Sequence, residues 1–141
     1  MTLKFHYDEA NEDPPAPFVS VQVRHAARPE RTLNLRAKVD TGADISAVPE
    51  SAALALQLRE AGRLQAIGFD GRVQQVVVYA AQIDLPAGES VQLNVLPIPA
   101  DYALIGRDAL NLLRLLLDGP PSPWKSSRLP QHNIPIPHAL T

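Results

Sequence analysis

The sequence predicts a mostly β domain, a small barrel or sandwich of short strands with two short helical pieces. Three observations predict it. Apolar and polar residues alternate with period two in "FVSVQVRH" and "RTLNLRAKVD", the pattern of half-buried strands. Turn signals recur at short intervals in "AARPE", "GFDG" and "PAGES". Only "PESAALALQL" and "GRDALNLLRL" have helical composition, and both are short. Strands at such spacing close into barrels or pack as sandwiches.

The elements follow in order. Residues 1–15 hold Asp8, Glu9, Glu12, Asp13, Pro14 and Pro15 and read as a flexible, solvated acidic arm. Residues 16–119 carry the periodic patterns and form the expected domain. In "FVSVQVRH", Val19, Val21 and Val23 oppose Phe18, Ser20 and Gln22. In "RTLNLRAKVD", Leu33, Leu35, Ala37 and Val39 share a side. The two strands can pair as a hairpin that delivers the chain to Asp40. "PESAALALQL" opens with Pro49 and an acidic residue, as helices do. The stretch from Arg63 to Leu85 reads as two strand arms around Gly68-Phe69-Asp70-Gly71, with Asp-Gly as the hairpin tip. "VQLNVLPI" is a further strand, "GRDALNLLRL" the second helix and "LLLDG" a last strand. Residues 120–141 form a Pro-rich tail holding six of the 14 prolines and the single Trp124. Proline donates no ladder hydrogen bond, so this tail is loosely attached or an arm that docks, and no central strand.

Bulk composition excludes several function classes. The 141 residues suit one domain. Hydrophobic content of 45% and charged content of 20% are those of a globular chain. A net charge of −2 gives no general attraction to nucleic acid or to a membrane surface. The chain has no cysteine, so disulfides and thiolate chemistry are excluded. The N-terminus has no apolar signal segment, and "LNLLRLLL" is too short to span a bilayer. A soluble, cytoplasmic protein is expected.

The chemistry concentrates in "AKVDTGADISAVP". Asp40 stands at the end of a strand whose Ala37 and Val39 read inward. A carboxylate there must be paired or richly hydrogen-bonded, or its pKa rises. Thr41 brings a hydroxyl, and Gly42 lets a backbone approach closely. Against this stands an ordinary Asx turn before a glycine. A second element, "YALIGRDAL", places an apolar strand, Gly106, Arg107 and Asp108 ahead of a helix. Tyr102 and Leu104 share one strand face, and Ala103 and Ile105 the other. Arg107 can grip a carboxylate, with Asp44 the candidate.

Asp-Thr-Gly-Ala-Asp-x-Ser, a Gly-containing hairpin and Ile-Gly-Arg-Asp some 60 residues on resemble the retropepsin-like aspartic proteases over about residues 17–119. The resemblance implies the closed, barrel-like retropepsin fold with a flap hairpin; a chain that opens on its own Met without polyprotein neighbours is expected to be a stand-alone enzyme. It implies that Asp40 is the catalytic aspartate, that Thr41 grips its symmetry mate and that Gly42 meets the substrate backbone. Asp44 would bind substrate and pair with Arg107. Ser46 and Asp108, with Ala43 and Gly106, would support the loop. Ile67, Gly68 and Phe69 on the flap, with Tyr102 and Leu104, would shape apolar subsites. The chain has one Asp-Thr-Gly, so the second carboxylate would be Asp40 of a second copy in a C2 homodimer. The implied activity is aspartic endopeptidase action on peptide or protein substrates near apolar residues, with no cofactor and no metal. The rival reading is a catalytically silent module of the same fold that binds peptide or only dimerises.

Several features depart from the retroviral pattern or carry less. The tip "GFDGR" is charged where retroviral flaps are Gly-rich, and Lys38 stands where retroviral enzymes often have an apolar residue. His6, His25, His132 and His138 lack ligand spacing and read as surface residues. Arg24, Arg28, Arg31 and Arg36 read as solvated faces.

Overall fold

The computed structural model describes residues 6–120. Eight strands and two short helices follow in order: β1 His6–Asp8, β2 Ala16–His25, β3 Thr32–Val39, β4 Ala47–Pro49, α1 Glu50–Ala55, β5 Glu60–Ile67, β6 Val73–Asp84, β7 Ser90–Ile98, β8 Ala103–Ile105 and α2 Arg107–Leu110. They form one sheet in the order β1-β2-β3-β8-β4-β7-β6-β5. A further β2–β6 pairing, Gln22 with Asp84 to His25 with Ala81, closes β2, β3, β8, β4, β7 and β6 into a ring. The expected mostly β, ring-like architecture is therefore present, with β1 and β5 left outside the ring as edges.

Alternation decides which side chains fill the ring. Val21, Val23, Ala37, Val39, Ile83, Val95 and Ile105 are buried in one cluster, with Leu33 and Leu35 packed against it. Each large aliphatic residue removed from water stabilises the fold by roughly 1.5–3 kcal/mol. The β2–β3 hairpin has the expected inward faces, in the register Phe18 with Lys38 to Arg24 with Thr32. His25 differs from the surface residue expected. It is 8% exposed, and its Nδ1 accepts the N–H groups of Ala27 and Arg28 at 3.1 and 3.0 Å. Two backbone donors in the turn thus find their acceptor in the imidazole.

β8 lies parallel to β3, and β4 lies between β8 and β7. The Asp40 loop therefore leaves β3 and returns to β4 on the two sides of β8. Helix α1 follows Pro49 at its N-cap, buries Ala52 and Ala53 and exposes Leu54. It stops where Gln57 takes φ 51°, and Leu58 N–H reaches back to Ala53 O at 3.0 Å, a left-handed helix cap.

Helix α2 is shorter than the pattern predicts. After Leu110 only Leu113 and Leu115 pack on the core, while Leu112, Leu116 and Leu117 are exposed. In place of a last strand over "LLLDG", Leu115 makes a single bridge. The acidic segment also differs from a solvated arm. Its residues 6–8 pair with β2, Asp8 meets Arg36 at 2.5 Å, and Glu12 meets Lys38 at 3.2 Å. Arg24 bonds Asp84 at 2.5 Å, so two of the four arginines read as solvated are paired. Trp124, His132, His138 and most of the Pro-rich tail lie outside the described residues. Among the described residues no helix is long and apolar enough to cross a membrane.

β5 and the start of β6 project beyond the ring as a hairpin, in register from Gly62 with Val78 to Ile67 with Val73. β5 is exposed along its whole length. At the tip, Gly68 N–H donates to Arg72 O and Gly71 N–H to Gly68 O, both at 3.0 Å. Arg72 N–H donates to Asp70 Oδ1 at 3.0 Å. Gly71 has φ 78°, which favours glycine and fits the Asp-Gly tip.

Candidate active site

The site is a loop closed by two chain segments. β3 ends at Val39, and its pairing continues one residue further, where Asp40 N–H donates to Ile105 O at 3.0 Å. Alternation leaves Asp40 half-buried on the face away from the core. Its Oδ1 accepts Gly42 N–H at 3.0 Å, and Ala43 N–H returns to Asp40 O at 3.2 Å. The Asx turn weighed as an alternative is thus present, and it fixes the direction in which the carboxylate stands. Thr41 and Gly42 are exposed beside it.

Residues 106–108 brace this loop from below. Ser46 is 0% exposed. Its hydroxyl donates to Asp108 Oδ1 at 2.7 Å and accepts Gly106 N–H at 2.9 Å. Ser46 N–H donates to Asp108 Oδ2 at 2.9 Å. Arg107 N–H donates to Ala43 O at 2.8 Å, and the Arg107 guanidinium pairs with Asp44. Gly106 is required by space and not by backbone angle. A Cβ there would stand 2.8 Å from Ala43 O and 3.0 Å from Ile45 C, closer than carbon can approach.

The structure therefore brings Asp40, Thr41, Gly42, Ala43, Asp44, Ser46, Gly106, Arg107 and Asp108 into one unit. Of its three carboxylates, Asp44 is taken by Arg107 and Asp108 by Ser46. Among the described residues, the Asp40 carboxylate is held by a backbone N–H of its own turn. Leu104 and Tyr102 are half-buried, while Ala103 and Ile105 are buried, as their alternation predicts. Ile67, Gly68 and Phe69 lie apart, exposed at the end of the hairpin, on a strand that pairs only with β6. Among the described residues no group of His, Cys, Asp and Glu has the arrangement of a metal site.

Sequence reasoning missed the Ile105 carbonyl, because a backbone acceptor leaves no mark in residue type. It also missed Phe18 and Glu12. Phe18 packs edge-on against Tyr102 at 5.7 Å between ring centres, and Glu12 bonds Lys38 at 3.2 Å. The cross-strand partner of a residue two before Asp40 was the available signal.

A sequence model of retroviral aspartyl proteases matches residues 12–118. No curated protein matches the chain. Among solved structures, the chain is similar to the solution structure of Simian Foamy Virus (mac) protease, at 24% identity and a TM-score of 0.51 over 70% of this chain and 100% of that one. It is similar also to the EIAV protease complexed with the inhibitor HBY-793, at 20% identity and a TM-score of 0.52 over 78% and 98%. At these identities the likeness establishes the fold.

Proposed function

Because this chain belongs to the retroviral aspartyl protease family, we propose that it is an aspartic endopeptidase whose active site forms between two copies. The observation that carries this reading is the state of the three carboxylates in the loop and its brace. Asp44 and Asp108 are committed to structural partners, and Asp40 is left for chemistry. One carboxylate is too few for general acid and general base together. A C2 axis through the loop would supply the second as the partner's Asp40.

As in aspartic proteases generally, two carboxylates about 3 Å apart share one proton. The ionised member takes a proton from water as that water attacks the scissile carbonyl. The protonated member stabilises the developing oxyanion, and a proton then passes to the leaving nitrogen. The rigid brace beneath the loop supports this role, since the two side chains must meet without reorganising. Thr41 would hold the two loops together, while Gly42 and Asp44 would meet the substrate backbone. The β5–β6 hairpin would close over the peptide as a flap. Exposed Ile67 and Phe69, with Leu104 and Tyr102, suit substrates with apolar side chains near the cut.

The test is cleavage of a mixed peptide library between about pH 4 and 7, where a shared proton is retained. Wild type and Asp40→Asn are compared by mass spectrometry, and their assembly is measured by light scattering. Cuts made by a dimer and lost in the variant are expected. A strictly monomeric or silent wild type at assay concentration would overturn the proposal in favour of a peptide-binding module.

A further inference from the structure

Three strands lay a row of side chains beside Asp40. Alternation along β3 puts Arg36, Lys38 and Asp40 on the face opposite buried Ala37 and Val39. Lys38 is the register partner of Phe18 on β2 and of Leu104 on β8, so these three share that face. Tyr102 joins them: its ring meets Phe18, and Lys38 Nζ stands 5.8 Å from its centroid. A lysine in a wall of aromatic and aliphatic groups loses hydration unless a carboxylate accompanies it. Glu12 provides one, with Oε2 3.2 Å from Lys38 Nζ. Arg36 is satisfied separately, by Asp8 and by the Phe18 ring 4.2 Å below it.

We propose that Lys38 is a specificity-determining residue, forming with Tyr102 and Leu104 a subsite that takes an acidic side chain of the substrate. The inference rests on the protease reading above. Glu12 occupies the anion position until substrate arrives and acts as positioning residue and competitor. Its side chain and that of Lys38 retain 22% and 30% exposure, so one carboxylate can replace the other without opening the core. Lys38 lies two strand residues from Asp40, about 7 Å at a rise of about 3.3 Å each. A peptide extended along β3 advances equally fast, which places the acidic side chain within two residues of the scissile bond.

The experiment uses peptide pairs differing only as Glu against Gln at each of these positions, at about pH 5.5, where a free glutamate is ionised. Cleavage is read as kcat/KM, and binding to folded Asp40→Asn by fluorescence anisotropy. Wild type is expected to favour Glu at one position by roughly 3- to 10-fold. Glu12→Gln raises that ratio, and Lys38→Leu brings it to about one. An active wild type with equal Glu and Gln rates at every position would overturn the subsite. Absence of any Asp40-dependent cut would overturn the protease reading instead, and the Glu-to-Gln binding ratio then decides the subsite alone.

Discussion

Replacing Ser46 with alanine tests whether the brace under the Asp40 loop holds as its geometry implies. The substitution removes a hydroxyl that donates to Asp108 at 2.7 Å and accepts Gly106 N–H at 2.9 Å. Losing a hydrogen bond to a charged group costs roughly 1.5–3 kcal/mol, and stranding a buried N–H costs about 1–3 kcal/mol more. Ser46 N–H still bonds Asp108, which limits the sum to about 3 kcal/mol. That is a large part of a typical stability of about 5–15 kcal/mol. Urea unfolding at fixed protein concentration measures it, because assembly adds a concentration term. With a slope of about 1–3 kcal/mol per molar, the midpoint falls by roughly 1–3 M. A cycle with Asp108→Asn should give a coupling of about 1 kcal/mol or more. A Ser46→Ala loss below about 0.5 kcal/mol, the scale of an ordinary surface change, would refute the claim that this network holds the loop.

Gly106→Ala is expected to destabilise by roughly 1–3 kcal/mol, since the new methyl meets the backbone of Ala43 and Ile45. It also displaces the loop, so activity falls even where the variant remains folded; thermal melts and peptide cleavage read the two effects. The Arg24–Asp84 pair predicts an acid limb. Burial pushes the Asp84 carboxyl up, but hydrogen bonds from Arg24, Ser90 and Gln82 outweigh it and leave the pKa below the usual 3.8. A depressed folded pKa gives stability that is present above the unfolded value and lost as pH falls through the folded one. Wild type therefore loses this contribution below about pH 4, and Asp84→Asn shows a flatter stability profile there in urea titrations.

The strands legible in the sequence were those that show one face to the core. Val19, Val21 and Val23, and Leu33 to Val39, announce their inward side by period two. Asp40 and Arg107 stand out because charges beside buried strands need partners. β4 is only three residues long, too short for a period, and the parallel and crossed pairings of β4 and β8 depend on contacts far apart in sequence. The same holds for the β2–β6 closure. "LNLLRLLL" misled because a run of leucines fits a helix and a strand equally. Only contact with the core shows that Leu113 and Leu115 turn inward. His25 misled because its partners are backbone N–H groups of its own turn.

β6 runs 12 residues, about 40 Å at strand rise, and belongs to two structures in succession. From Val73 to Tyr79 it pairs with β5, and from Tyr79 to Asp84 with β7. Buried Val78 marks the passage from one to the other. The strand is thus a cantilever, clamped in the ring at one end and free at the other. Its outer half can bend about that root while every hydrogen bond of the ring stays made. A displacement of the tip about that root leaves the ladders that β6 makes with β7 and β2 in place.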